Sequence, residues 1–388
     1  MGDSLIPVAL IWAVAHDLHG GATWVGVVLA CYTIGGASVT LAGGVWADRL
    51  PRRAVMISAD VVRLGTQSAT AVLLFGGAAH VWELAILQGV AGAAAGFFNP
   101  ASTALIPQTV SAGRLQQANA LLSLSRSTTN VFGPGLSGAI VALAGPGWVF
   151  SIDAGSFLVS AGFVAAMRVA PYVRPAAQRF WRDLADGWRE VRHHRWLTAG
   201  FLGYAVGNFG VGMYIVVGSL VAIHQLGGAP AWGLIVGSAA FGGVLGGFVA
   251  YRIRPTHPVA MAFAIWTVCA LPPFALVRPF PLPAVMATAL LFGGSILVGN
   301  TLFETAMQQE VEPRRLARVA SIDLLLSFCL MPAGQALAGP ISAAVGVPAT
   351  LVLAGTLMSV PNFLVLVFVR DVRSVQRREE PEPALSSL

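Results

Sequence analysis

The stretch that decides the fold is GGVWADRLPRR, residues 43–53, in which a glycine-rich apolar run breaks abruptly into charges. Asp48, Arg49, Arg52 and Arg53 fall within a few residues, and the apolar run resumes at once with AVMIS. Arginines in a short connection between two apolar segments are typical of a cytoplasmic loop between membrane-spanning helices. This interpretation predicts further apolar spans and arginine-bearing loops along the chain.

The overall composition is that of a membrane protein. Of 388 residues, 56% are hydrophobic and 10% are charged, and the mean hydropathy is +0.74. A soluble domain is about 25% charged, so this chain lacks the polar residues to cover a water-facing surface. Its apolar stretches match the roughly 20 residues that a helix needs to cross the bilayer. The sequence therefore predicts an all-α polytopic protein with twelve transmembrane helices in two pseudo-symmetric six-helix bundles.

The predicted helices alternate with short loops along the whole chain. Their expected spans are 4–16, 24–46, 54–76, 82–105, 116–144, 148–168, 197–223, 231–250, 259–278, 283–305, 317–344 and 348–369. The first span is too short to cross a bilayer, so we expect this sequence to lack the first half of helix 1.

Arginine placement predicts the orientation. All 23 basic residues are arginines, and most lie in the loops after even-numbered helices or in the C-terminal tail, whereas Arg278 is the one in an opposite loop. By the positive-inside rule those loops, the central linker and the C-terminus are cytoplasmic, in a cell membrane. This loop pattern also accounts for the net charge of +6 without nucleic acid binding.

The two halves of the chain repeat. Asn99 and Asn300, Gln108 and Gln309, and Gly133 and Gly334 are separated by one constant offset. Such a repeat is typical of transporters built from duplicated halves. The predicted division is an N-terminal bundle at 1–168, a linker at 169–196, a C-terminal bundle at 197–369 and a tail at 370–388. The linker has one apolar face, and it could lie on the lipid surface or pack against the bundle.

The opening stretch resembles the loop motif of the major facilitator superfamily, with Gly44, Asp48, Arg49, Arg52 and Arg53 at the matching positions. The resemblance implies that Asp48 meets the N-terminus of helix 11 and that the arginines pair with nearby acids. Together they would latch the two bundles closed on the cytoplasmic side. In the second copy of the motif Tyr251 stands where the acid would be. We expect Asp60, Arg63 and Arg126 to extend this gate, since Asp60 and Arg63 stand at i, i+3 on helix 3 and can pair directly. Proton transfer is the alternative role for Asp60 and Arg63.

A second resemblance lies on helix 5, where GPGLSG (133–138) is similar to the antiporter motif of the same superfamily. Gly133, Pro134 and Gly138 match the motif, and Ser137 replaces a glycine. An ordinary packing seam is an equal alternative on physical grounds. The flanking sequence narrows the resemblance to the drug, macrolide and enterobactin exporter branch.

Charged residues inside predicted spans are costly and usually functional. We expect Asp3, Glu304 and Asp323 to be the candidates for proton coupling, and Asp153 and Glu83 to be membrane-interface residues. Glu304 lies near the cytoplasmic end of helix 10 and could instead cap or latch that helix. By the resemblance, helices 1, 4, 7 and 10 line a central cavity. The candidate cavity residues are Trp12, Phe97, Phe98, Asn99, Tyr204, Asn208, Phe209 and Tyr214.

The predicted function is proton-coupled export of a lipophilic small molecule, of drug, macrolide or siderophore type, by alternating access. Two alternatives stay open: a proton-coupled importer of a small polar solute, and a transporter-like scaffold or sensor without transport. No nucleotide-binding or catalytic motif is found, so we expect no enzyme activity, no cofactor and no use of ATP. His16, Asp17 and His19 could form a metal site but fit a solvated loop better. The protein is expected to act as a monomer with protons, lipid and a small molecule as its partners.

Overall fold

The computed structural model describes residues 2–46, 51–109, 114–167, 188–312, 315, 316, 319, 322, 323 and 329–375. Twelve long helices, labelled α1 to α12, follow one another through these residues, and no strand occurs among them. Their bounds are α1 Ile6–Asp17, α2 Gly21–Trp46, α3 Arg52–Phe75, α4 Val81–Thr109, α5 Leu115–Ala144, α6 Pro146–Ala166, α7 Arg195–Gln225, α8 Ala229–Arg252, α9 Pro258–Val277, α10 Leu282–Glu310, α11 Met331–Val345 and α12 Val347–Phe368.

The predicted all-α polytopic fold is confirmed. Eight helices of the described chain are long and apolar enough to cross a membrane. The first part of α5 is polar, and α3 carries Asp60 and Arg63, which makes both helices less apolar. The remaining two, α1 and the described part of α11, are shorter. All twelve helices match predicted spans to within a few residues, except where α11 borders residues outside the described set.

Each half is held together by glycines that let helix backbones touch. Gly92 of α4 packs against the carbonyl of Tyr32 in α2, and Gly293 of α10 packs against the carbonyl of Ala239 in α8. A methyl group at either glycine would overlap that carbonyl. Gly92 and Gly293 stand at the same offset as Asn99 and Asn300, so the sequence repeat corresponds to equivalent packing in the two halves.

One helix is interrupted inside the membrane. Between Trp266 and Leu271, α9 passes through a 3₁₀ turn, and Pro272 and Pro273 follow directly. Prolines cannot donate backbone hydrogen bonds, so carbonyl groups in the preceding turn lose their partners. Ser359 of α12 donates to the Thr267 carbonyl at the start of the 3₁₀ turn at 2.9 Å, which gives this carbonyl a partner from another helix.

The described part of the linker packs against the bundle. Val191 is completely buried in the core cluster of the protein. Glu190 forms an ion pair with Arg315, with 2.5 Å between Nη1 and Oε2. For residues 188–194 the packed alternative is therefore correct, whereas most of the predicted lipid-facing helix lies outside the described residues.

Candidate functional site

The two halves meet along a seam made largely of glycine. The two ends of the helix bundle are called here the arginine-rich end, at which α2 ends and α3 begins, and the opposite, arginine-poor end. Gly138 of α5 faces Pro230 of α8, and a methyl group at Gly138 would come within 2.7 Å of the Pro230 Cα. On the same helix pair, Gly233 packs against the Pro134 carbonyl. The helix-5 motif residues therefore lie in a close interface between the halves.

A second helix pair repeats this arrangement. Gly26 of α2 packs against the Gln335 carbonyl of α11, and Gly339 packs against the backbone of Thr23. Thr33 Oγ1 donates to Gln335 Oε1 at 3.1 Å, which joins the halves near mid-membrane. For the described residues, these close approaches lie between mid-membrane and the arginine-poor end. The structure is therefore closed between the halves at that end.

The residue that departs from the helix-5 motif has a specific partner. Ser137 is fully buried, and its Oγ donates to the Leu5 carbonyl at 2.6 Å. The neighbouring Gly133 packs against Ser4. Because the hydroxyl joins α5 to the start of α1, the serine stabilises the N-terminal half where the motif's glycine could not.

A charged cluster, called the Arg63 cluster, lies inside the N-terminal half. It consists of Asp3, Asp60, Arg63, Asp153, Ser156 and Ser160. The Arg63 guanidinium forms an ion pair with Asp3 and lies over the Phe157 ring, 3.9 Å from the ring centroid. The predicted direct pair between Asp60 and Arg63 is wrong, because the buried guanidinium turns toward the start of α1 instead.

The two other acids of the Arg63 cluster contact hydroxyl groups. Ser160 Oγ donates to Asp60 Oδ2 at 2.7 Å, and Ser156 Oγ lies 3.4 Å from Asp153 Oδ1. Asp60 is 1% exposed and Asp153 is 0% exposed. The prediction that Asp153 is an interface residue is therefore wrong, since it points from α6 into the bundle against Gly2.

The serines of this cluster were not predicted, although the sequence contains a signal for them. Asp153, Ser156, Phe157 and Ser160 stand at helical spacing and form one stripe of α6. Asp60 and Arg63 form a matching stripe on α3, which packs against α6. Pairing the two stripes would have placed Asp153 inside the bundle.

The loop arginines are only partly described. Asp48 and Arg49 lie outside the described residues, and Gly44 lies near the end of α2. Arg53 donates to the carbonyls of Val164 and Ala165 at the end of α6, with 3.1 Å between Arg53 Nε and the Val164 oxygen. The expected pairing with an acid is wrong for Arg53, because the unpaired carbonyls at a helix C-terminus attract a cation.

The remaining gate residues are Arg52 and Arg126. Arg52 is half-buried at the start of α3, and Arg126 is exposed on α5. In the part of the chain that the structure describes, Arg63 pairs with Asp3, and no ion pair joins Arg126 to Asp60. Arg126 therefore does not complete the network expected for it.

In the C-terminal half, Tyr204 and Asn208 of α7 line a small cavity of about 40 Å³ beside Trp266. The Tyr204 hydroxyl donates to Asn300 Oδ1 of α10. Glu304 lies one turn further along α10 and is exposed, and Asp323 is half-buried. The acids of the two halves thus differ: those of the Arg63 cluster are mostly buried, whereas Glu304 is open to its surroundings.

The other candidate cavity residues divide into packed and accessible side chains. Tyr214 is 5% exposed and contacts the rings of Trp232 and Phe292, so its assignment to the cavity is wrong. Phe97 and Phe98 are half-buried against a small core cluster of the N-terminal half. Trp12 and Phe209 are likewise half-buried, against the main core cluster, and Asn99 is exposed.

The family of this protein follows from comparison with known proteins. The model described as Major Facilitator Superfamily matches residues 1–333. The chain belongs to the major facilitator superfamily. It is thus a multi-pass membrane transporter by family.

Curated relatives of this superfamily transporter cover most of its length. It is 25% identical over 403 residues to the multidrug efflux pump Tap of Mycolicibacterium fortuitum, covering 98% of this chain and 95% of the relative. It is 23% identical over 377 residues to the uncharacterized MFS-type transporter YvqJ of Bacillus subtilis (strain 168), covering 95% and 89%. It is 22% identical over 331 residues to macrolide efflux protein A of Streptococcus pyogenes, covering 81% and 80%.

Solved structures support the same fold. A bacterial homologue of the iron transporter ferroportin, in an inward-facing state, aligns with a TM-score of 0.67 and 17% identity over 96% of this chain and 97% of its own. A peptide transporter of the POT family aligns with a TM-score of 0.73 and 13% identity over 97% and 93%. At these identities the likeness extends to the fold alone.

Proposed function

We propose that this superfamily transporter is a proton-coupled exporter of lipophilic small molecules that works by alternating access. The observation that carries the proposal is the seam between the halves, which is closed from mid-membrane to the arginine-poor end. It consists mainly of glycine backbone contacts with few side-chain hydrogen bonds. Such a seam can open without breaking many strong interactions.

The direction and cargo are supported by the relatives. Two of them bear names that describe efflux, one of multiple drugs and one of macrolides. The antiporter resemblance of the helix-5 motif and the drug-exporter resemblance of its flanking sequence point the same way, and Gly133, Pro134 and Gly138 all lie at close helix contacts. The cargo class that follows is a lipophilic drug, macrolide or siderophore, bound between the halves near mid-membrane.

Proton coupling is supported by acids inside the membrane-spanning helices. One proton crossing 100 mV releases about 2.3 kcal/mol. Since 1.4 kcal/mol corresponds to a factor of ten, this energy sustains a gradient of roughly 40-fold for a neutral substrate. No ATP or cofactor is needed for such a cycle, and a monomer containing both halves is sufficient for it.

The test is efflux of a fluorescent dye and of a radiolabelled macrolide from intact cells that express the full chain. Expressing cells are expected to retain less of each compound than empty-vector cells, and a protonophore should abolish the difference. In inverted vesicles the same compounds should accumulate when the interior is acidified. Retention above the vector control would instead indicate an importer, and retention equal to the control with a folded protein would indicate a scaffold.

A further inference from the structure

The charges of the Arg63 cluster do not balance. It contains one cation and three carboxyl groups, and the cation is paired with Asp3. The Asp3 side chain is 56% exposed, whereas the Arg63 side chain is 5% exposed. Ser160 donates to the Asp60 carboxylate, whereas the Ser156 hydroxyl donates to the Asp153 backbone carbonyl at 2.8 Å and lies 3.4 Å from the Asp153 carboxylate. A hydroxyl donor does not compensate the charge of an ionised carboxylate in a membrane interior.

Each buried acid also has one oxygen without a partner. Asp60 Oδ1 and Asp153 Oδ2 are shielded from solvent and accept no hydrogen bond. Both residues are almost completely buried, at 1% and 0% exposure. An isolated buried carboxylate is among the most costly groups in a protein interior. A bound proton would remove the charge and turn the unpartnered oxygen into a neutral hydroxyl.

Besides Arg63, the N-terminal amino group also acts on the charge of Asp153, so two cations face the three carboxyl groups of the cluster. In the described residues, the charged and titratable side chains that interact with Asp153 are Asp3 before α1, Arg63 on α3 and Tyr32 on α2. Arg126 on α5 is exposed. Gly2 packs so closely against Asp153 that a methyl group there would overlap the carboxylate. Asp153 is therefore covered by the backbone of Gly2, and the exposed Asp3 is the next residue of that segment.

We propose that Asp153 and Asp60 are intramembrane proton-binding residues, and that both carry a proton in the state that is closed at the arginine-poor end. The Arg63–Asp3 ion pair stays charged, and it lies between these two acids and the exposed surface at Asp3. Proton release from Asp153 would let its carboxylate compete with Asp3 for the Arg63 guanidinium. That these protons are the ones exchanged for cargo rests on the proposed function, whereas proton binding itself does not.

The test is infrared spectroscopy of the purified full-length chain in lipid nanodiscs without substrate. Protonated carboxyl groups give a carbonyl-stretch band that carboxylates lack and that shifts in D₂O. The wild type is expected to show two components, of which Asp153→Asn removes one and Asp60→Asn removes the other. Glu83→Gln is the matched control, because Glu83 accepts a hydrogen bond from the His80 N–H at 2.8 Å near the arginine-poor end, and it should leave the band unchanged.

Absence of the band in folded wild type, or a band that survives both asparagine variants, would overturn the proposal. If Asp153→Asn does not fold, Asp153→Glu keeps a carboxyl group and should shift its component rather than remove it. An unshifted band in that variant would count against Asp153. Wild-type protein with both components but without efflux would refute the proposed export and leave the proton sites standing.

Discussion

At the scale of single residues, the Arg63–Asp3 ion pair is the most consequential contact. A charge at the bilayer centre costs about 2.5–3.5 kcal/mol on insertion scales. Removing one partner leaves the other charge uncompensated, which is worse than removing both. The ion pair therefore stabilises the N-terminal half chiefly because each charge lowers the free-energy cost of the other.

This pairing predicts a specific pattern in a double-mutant cycle. Arg63→Gln should lower thermal stability by about 2–3 kcal/mol. Asp3→Asn should cost less, about 1 kcal/mol, because the Asp3 side chain is 56% exposed, and the double variant should lose less than the sum. The measurement is thermal unfolding of the purified protein, followed by fluorescence-detected size exclusion. Additive losses would show that Asp3 and Arg63 do not interact.

The Ser137 hydroxyl is a second residue-scale feature. Ser137→Ala removes the hydrogen bond to the Leu5 carbonyl and should cost about 1 kcal/mol of stability. Ser238→Ala is the control, because the half-buried Ser238 donates, among the described residues, only to the Leu234 carbonyl of its own helix. Equal melting temperatures for Ser137→Ala and the control variant would show that the Ser137 hydrogen bond does not stabilise the protein.

Sequence reasoning found the charged residues but not all their partners. It identified Asp3, Asp60 and Arg63 because charges stand out in apolar spans. It assigned Arg63 to Asp60, since spacing along one helix is visible in a sequence and contacts between helices are not. Asp153 was misplaced for a related reason, because distance from a loop says nothing about which face of α6 points inward.

At the scale of helices, the α5–α8 contact decides whether the arginine-poor end can close. Gly138 lies against Pro230, whereas Gly135 on the same helix has open space beside it. Both are helical glycines, so they share the same intrinsic cost and differ in their surroundings. The same substitution at Gly138 and at Gly135 therefore gives a test variant and its matched control.

We predict that Gly138→Leu folds but loses at least tenfold in transport, because a leucine there holds α5 and α8 apart. Gly135→Leu should retain near wild-type transport. Drug efflux from cells with matched expression of the two variants is the measurement. Equal activity of both variants would mean that closure at this contact is not part of the cycle.

The helices themselves were largely predictable. Their length is set by the bilayer and their loops by arginines, so the spans emerge from hydropathy and charge alone. What a sequence does not contain is the state of the transporter, since the same helices pack differently when either end is open. The Thr33–Gln335 hydrogen bond belongs to the state that is closed at the arginine-poor end and had no signal in the sequence.

At the scale of the whole molecule, two helix pairs related by the internal repeat carry the seam: α5 with α8, and α2 with α11. Their glycines occupy equivalent positions, as Gly138 and Gly339 do. A symmetric seam of this kind allows the halves to rock about a shared centre. Under alternating access, the arginine-poor end opens when the arginine-rich end closes.

The most direct test measures both ends in the same protein by pulsed electron spin resonance between nitroxide labels. One label pair, Ala78 with Gln225, reports on the arginine-poor end, and the other, Ala54 with Arg254, reports on the arginine-rich end; all four positions are exposed. With changes of pH and added macrolide, the first distance should lengthen as the second shortens. Distances that stay fixed, or that change in the same direction, would contradict alternating access.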